Sequence, residues 1–259
     1  RDMTKRQPLP TKIRDRETPV DFTETFKWQK SVTFTAESFV NWMAEHIPSI
    51  KGMTPGIKNA IEVGDKKFYL KTLPIWYYTS NFGFGFCPIP VMGTVPARSG
   101  LEIYKGRTAG YAYFDQEINI PVLVNEDREP WMSLTPNEVL TLRGSVRRTK
   151  GNVGMAGLGL GWVARKVLQR SKVKHLTIHE IDQNVIDQFG KSLVEDFGDR
   201  VKIVHGNAYE ADWSSYDVSL WDIWRDYGGA SWDSKYKKIR DSIQKDNKIC
   251  IGWGEGVGR

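Results

Sequence analysis

The residues best suited to chemistry lie in the second half of the chain, beginning with glycines at alternate positions, Gly157, Gly159 and Gly161. Such spacing lets a backbone approach a ligand closely, although glycines also serve ordinary tight turns. Their placement separates the two roles. The apolar run 152–156 reads as a strand and the pattern 162–170 as a helix, so the glycines stand at the carboxyl edge of an α/β sheet, where nucleotides bind. Glu180 ends the next strand. An acid at that point can accept both hydroxyl hydrogens of a ribose, and the two features together imply an adenosine site. A dinucleotide is disfavoured, because Trp162 stands where the dinucleotide fingerprint needs a small residue. No Lys-Ser/Thr pair follows the glycines, which excludes a Walker-type phosphate cradle.

A second group of candidates follows the run 216–221. Asp222 and Asp226 leave that strand in the segment Asp-Ile-Trp-Arg-Asp. A carboxylate there can orient a nucleophile and take its proton; loop acids also serve simply as caps. Trp213, Trp221, Trp224 and Trp232 crowd the same region. Packing accounts for Trp213, whereas Trp224 is placed to wall a site, where cation–π attraction is worth roughly 0.5 to 2 kcal/mol. His46, His175, His179 and His205 show no metal-ligand spacing, and no metal is expected.

The elements that position these residues follow from periodicity. Thr135-Pro136-Asn137-Glu138 reads as a capping box with proline in the first turn, and Val139, Leu142 and Val146 continue it at helical spacing. Strands at 152–156, 174–180, 201–205, 217–222 and 248–251 then alternate with helices at 162–170, 184–197 and 232–244. Short apolar strands between amphipathic helices are satisfied by a doubly wound, mostly parallel α/β sheet. Upstream the texture differs. Residues 1–20 are polar and punctuated by proline, the pattern of a surface arm. Residues 21–130 carry short Phe-, Tyr- and Trp-rich runs at 25–34, 67–73, 75–86, 111–114 and 118–124, with one helix at 36–46. That pattern is a β-rich domain, leaving 131–259 as the Rossmann-like domain.

Composition sets the outer bounds. The chain has 259 residues, 40% of them hydrophobic and 26% charged, the range of a folded globular protein. The apolar stretch 74–95 is broken by proline and glycine, so no membrane span is read from it. Two cysteines offer no disulfide framework, which suits a reducing, cytoplasmic setting. The net charge is +6. The stretch 139–179 has no acid and includes Arg143, Arg147, Arg148, Lys150, Arg165, Lys166, Arg170, Lys172 and Lys174. Without interleaved aromatic residues it reads as a solvated face rather than a specific nucleic-acid reader.

With these motifs in place, residues 130–252 resemble the class I S-adenosylmethionine-dependent methyltransferases, most closely the spermidine-synthase-like branch. The resemblance implies a Rossmann-like methyltransferase fold, S-adenosylmethionine as cofactor and in-line methyl transfer to an unidentified acceptor. Gly157, Leu158, Gly159 and Gly161 would pass beneath the methionine portion of the cofactor. Glu180 would hold the ribose, with Ile181 beside the adenine. Asn207 and Ala208 match the segment that meets the adenine amino group, Asn207 replacing the usual Asp. Met155 stands where many members carry an acid; the spermidine-synthase-like branch often carries an apolar residue there.

Asp222 and Asp226 fall where aminopropyltransferases carry two aspartates three positions apart. Here they are four apart, and Tyr227 replaces the proline that follows. An aminopropyltransferase-like enzyme and a catalytically silent cofactor-binding or assembly protein therefore remain alternatives. The acceptor is read as a small molecule or a protein. Beginning on Arg1, the chain reads as trimmed. The eight residues after Ile251 are too few for the family's last hairpin, since two strands and a turn need about twelve. The sheet edge at 248–251 is expected to be covered by strands of the N-terminal domain or by a partner subunit, as in a homo-oligomer, with a mobile tail beyond it.

Overall fold

A computed structural model describes residues 18–25, 31–48, 69–74, 89–90, 111–114, 119–124, 130–134, 136–225 and 228–255. The expected strand at 75–86, Thr135 of the capping box, Cys87 and Asp226 lie outside them.

The upstream region builds two three-stranded sheets from short strands. One joins β1 (Ser31–Phe34), β3 (Ile89–Pro90) and β4 (Tyr111–Phe114), with β4 central. The other joins β2 (Tyr69–Pro74), β5 (Asn119–Val124) and β6 (Pro130–Ser133), all antiparallel neighbours about β5. Between β1 and β2 runs α1 (Ala36–His46), whose Ala36, Phe39, Trp42 and Met43 recur at helical spacing and are buried. Phe22 meets Phe34, Phe39 and Trp42 edge-on with centroids 4.7–5.2 Å apart.

Pro136 then opens α2 (Pro136–Arg147), where its missing N–H leaves nothing unsatisfied. Five strands follow, β7 (Gly151–Ala156), β8 (Val173–Glu180), β9 (Val201–His205), β10 (Val218–Trp221) and β11 (Ile249–Gly252). They form one parallel sheet in the order β11-β10-β7-β8-β9. The order reverses between β7 and β10, which makes the crevice beyond their carboxyl ends the ligand position of a doubly wound sheet.

The crossover helices differ in detail from their sequence patterns. The helix α3 (Trp162–Leu168) stops two residues early, at a turn closed by Arg170 N–H to the Val167 carbonyl. The crossover 183–197 is broken by a π turn at Ile186–Gly190, where a Cβ on Gly190 would lie 2.7 Å from Ile203. The last helix is two: α4 (Gly229–Trp232) and α5 (Ser234–Lys245), divided by Asp233 as the N-cap of the second. Trp232 therefore closes the first piece, largely exposed, rather than opening a single long helix.

The expected cover of the sheet edge by N-terminal strands is corrected for the described residues: β11 pairs with β10 alone, and the strands described within 31–133 pair among themselves. The chain after β11 is also held rather than loose as far as Glu255. Trp253 donates its backbone N–H to the Trp221 carbonyl (2.8 Å) and its indole N–H to Thr141 (3.2 Å). Glu255 accepts from Tyr236 (2.8 Å) and pairs with Arg240. These side chains close the end of the edge strand.

The upstream region touches the sheet through α1. Trp42 meets Trp162 edge-on at 5.9 Å, while Glu24 accepts from Lys166 at 2.5 Å and from Trp42 at 3.4 Å. Arg165 is buried and paired with Asp196 at 2.6 Å. Arg143 donates to the Glu24 carbonyl at 3.0 Å. Two of the cations in the acid-free stretch, Arg165 and Lys166, are thus paired with carboxylates inside the molecule. No helix among the described residues is long and apolar enough to cross a membrane.

Candidate active site

At the carboxyl ends of β7, β8, β9 and β10 lies a cavity of about 350 Å³. Its size falls in the range of small-molecule sites. Gly157, Gly159, Glu180, Ile181, Asn207, Ala208 and Asp222 all line it, whereas Leu158 and Gly161 of the glycine loop do not, so residues scattered over 66 positions of sequence, from 157 to 222, meet in one space.

The glycine loop is built as a series of left-handed turns. Gly157, Gly159 and Gly161 have φ of +86°, +54° and +83°. A side chain at the first two would also fill the cavity wall: a Cβ on Gly157 would lie 2.8 Å from the Asp222 carbonyl oxygen, and one on Gly159 2.2 Å from Met132 Sδ. Leu158, between them, is turned inward and buried in the core. Trp162 lies 1% exposed against α1 and does not line the cavity, so the bulky residue after the loop fixes the α3 face rather than narrowing the ligand space.

Glu180 is 7% exposed and fully engaged before any ligand arrives. Its Oε2 accepts the Leu158 N–H at 2.7 Å and its Oε1 the Asp182 N–H at 2.9 Å. Burial pushes its carboxyl above the ordinary range, while these backbone donors hold it back. A carboxylate oxygen has a second lone-pair position, so a diol can still be accepted. Glu180 thus pins the glycine loop as well as offering the ribose acceptor. Ile181 stands beside it 66% exposed, an apolar side chain free to lie against a flat ring.

Asp182 caps the following helix, accepting from Asn184 N–H at 2.8 Å and Val185 N–H at 3.3 Å. After β9, Asn207 Oδ1 accepts the Tyr209 N–H at 3.1 Å and its amide nitrogen donates to Glu210 at 3.2 Å. The side chain is fixed with one acceptor position to spare. Ala208 is buried at the cavity floor beside it.

Asp222 follows β10, its backbone N–H on the Ala156 carbonyl at 3.2 Å. The side chain faces the cavity together with Ile223 and Trp224, and burial pushes its carboxyl up to about 7. A carboxyl at that value exchanges a proton near neutral pH, as a general base for an amine requires. Trp213 is a core residue, its ring 4.5 Å from Trp221.

The remaining lining residues carry no local sequence signal for a site. Met132, from β6, accepts the Leu160 N–H through its sulfur at 3.2 Å and so roofs the glycine loop. Tyr209 lines the wall between Ala208 and Trp224. His179 lines the floor, bonded to the Tyr216 hydroxyl at 2.9 Å; burial lowers its pKa, which keeps the ring neutral. Among the described residues no His, Cys, Asp and Glu cluster could hold a metal ion.

Solved structures of several different enzymes are similar to part of this chain. A dimethyladenosine transferase from Plasmodium falciparum is 22% identical over 35% of this chain and 30% of its own, with a TM-score of 0.30. The spermidine synthase from Thermotoga maritima is 22% identical over 40% of this chain and 42% of its own, with a TM-score of 0.30. A Pyrococcus abyssi tRNA (uracil-54, C5)-methyltransferase, solved with S-adenosyl-L-homocysteine, is 13% identical over 47% and 30%, with a TM-score of 0.33. The chain spans less than half the length of each of these. No protein-family model and no curated protein matches it. The parallel five-stranded order β11-β10-β7-β8-β9 is a Rossmann-like α/β architecture. Within that frame the glycine loop, Glu180, and Asn207 with Ala208 stand at three successive strand ends, and Asp222 at a fourth.

Proposed function

We propose that the chain is an S-adenosylmethionine-dependent methyltransferase. The observation that carries this reading is the convergence of Gly157, Gly159, Glu180, Ile181, Asn207, Ala208 and Asp222 on one cavity at the topological switch point of the sheet. Residues 157–161 would lie beneath the methionine portion, Glu180 would accept from the ribose hydroxyls, Asn207 from the adenine amino group, and Ile181 and Ala208 would flank the ring. The bare glycines and the cavity volume fit such a ligand. When bound, it supplies an electrophilic methyl carbon on a sulfonium, whose departure needs no proton.

The protein's own task is then alignment and proton removal. Asp222 would hold an amine-like nucleophile of a small molecule or protein and accept its proton as the new bond forms. Trp224 and Tyr209 would exclude water from that end and offer ring faces to positive charge. Titration calorimetry of the full chain with S-adenosylmethionine, its decarboxylated form and S-adenosylhomocysteine tests the proposal. Binding of the first and third is expected. Preference for the decarboxylated form would favour an aminopropyltransferase, and no binding of any would overturn the reading.

A further inference from the structure

Asp233 does not line the cavity, yet it ties together two residues that do. Its Oδ1 accepts the backbone N–H groups of Lys235 (2.9 Å) and Tyr236 (3.0 Å), the ordinary work of an N-cap. Its Oδ2 is not needed for that work. It accepts the indole N–H of Trp224 at 2.9 Å and the hydroxyl of Tyr209. Tyr209 comes from the segment after β9 and Trp224 from the segment after β10, so one carboxylate joins the exits of two strands.

The seat around Trp224 is otherwise apolar and close. A Cβ on Gly229 would fall 2.5 Å from Trp224, so the indole rests on bare backbone. The Tyr236 ring meets it edge-on at 5.1 Å. Lys235 Nζ sits 5.6 Å from the centre of the Tyr209 ring. Burial pulls the Asp233 carboxyl upward, but its hydrogen bonds from Tyr209, the Tyr236 N–H, Trp224 and the Lys235 N–H outweigh it and hold the group below the usual range. Burial and the neighbouring carboxylate push the Tyr209 hydroxyl well above its ordinary value. The proton therefore stays on tyrosine, and Asp233 stays the acceptor.

We infer that Asp233 is the positioning residue of the cavity's aromatic wall: through Oδ2 it locks Tyr209, two residues from Asn207, and Trp224, two residues from Asp222, into one surface. The inference rests on the methyltransferase reading. It extends that reading by making the shape of the adenine corner and of the transfer corner depend on a single carboxylate outside the cavity. Removing Oδ2 should release both rings at once, because each would lose its acceptor in a half-buried place.

Asp233→Ser tests this, since the serine hydroxyl keeps the cap on α5 and lacks the second oxygen. The readout is the indole N–H resonance of Trp224 in the ligand-free full chain, assigned by its loss in Trp224→Phe. It should move upfield in Asp233→Ser, with S-adenosylhomocysteine affinity falling roughly tenfold, the equivalent of one charge-assisted hydrogen bond. An unmoved resonance, or wild-type affinity in a folded Asp233→Ser protein, overturns the inference. Should that variant fail to fold, Tyr209→Phe leaves the cap untouched and must shift the same resonance; if it does not, Oδ2 does not couple the two rings. The resonance is read without ligand, so a wild-type protein that binds no S-adenosylhomocysteine defeats the methyltransferase reading separately.

Discussion

The two walls of the cavity are built by different means. The glycine loop and Glu180 form a wall of backbone: positive-φ glycines around Leu158, whose amide is pinned by one carboxylate from the neighbouring strand. The other wall, of Asp222, Trp224, Tyr209 and Met132, is made of side chains from β6 and the segments after β9 and β10, held by contacts remote in sequence. The first wall has its shape before any ligand arrives, and a substitution there breaks the loop itself. The second wall can change its chemistry one side chain at a time.

Replacing Glu180 by Ala should show the largest effect, because the residue serves loop and ligand together. S-adenosylhomocysteine affinity is expected to fall tenfold or more, about 1.4 kcal/mol, as the ribose loses a charged acceptor. Two buried N–H groups, of Leu158 and Asp182, would also be orphaned, at a cost to folding of roughly 2 to 4 kcal/mol in a denaturant titration. Wild-type affinity in this variant would remove Glu180 from the site.

On the other wall, Asp222→Asn sharpens the contrast through pH. A carboxyl raised to about 7 by burial binds a proton in the folded chain that the unfolded chain has already released. Its contribution to stability is therefore lost as pH rises from about 4 through 7, by roughly 2 to 4 kcal/mol at most for a shift of this size. The difference between wild type and Asp222→Asn in urea midpoint should slope across that window. Parallel curves would mean that Asp222 titrates as an ordinary exposed acid.

Gly157→Ala probes the backbone wall without touching a charge. At φ +86°, with the Asp222 carbonyl 2.8 Å from the new Cβ, the loop must shift. A stability loss of about 1 to 3 kcal/mol is expected, with weakened S-adenosylhomocysteine binding in calorimetry. An unchanged protein would show that the loop is not held against β10. The smallest effect belongs to Met132→Leu, which keeps volume and removes only the sulfur acceptor of the Leu160 N–H. Less than about 1.5 kcal/mol is anticipated, together with faster amide exchange at Leu160. Unaltered exchange there would demote Met132 to a simple packing contact.

Legibility followed the same division. The parallel sheet, the placement of the glycine turn and the carboxylate at the end of β8 could be read from alternating periods, since each is a local pattern repeated along the chain. The helix 36–46 and the strands 111–114 and 201–205 fall at their expected limits. The cap that splits 232–244 into α4 and α5 had a local signal, an Asp immediately before Ser-Lys-Tyr. A continuous helical pattern masked it. Met132, Tyr209 and the Oδ2 side of Asp233 had none, because nothing near them in sequence distinguishes a cavity wall from a core.

What the sequence determined by itself is the set of elements and the backbone wall of the cavity, because backbone conformation and strand-end position are decided within a few residues of each group. The tertiary structure alone decided which way the bulky residues turn. Trp162 went to α1 while Met132 and Tyr209 went to the cavity, and among the described residues β11 kept its single partner. Those outcomes depend on which surfaces remain apolar once the sheet has closed, a comparison between distant segments that no local window contains.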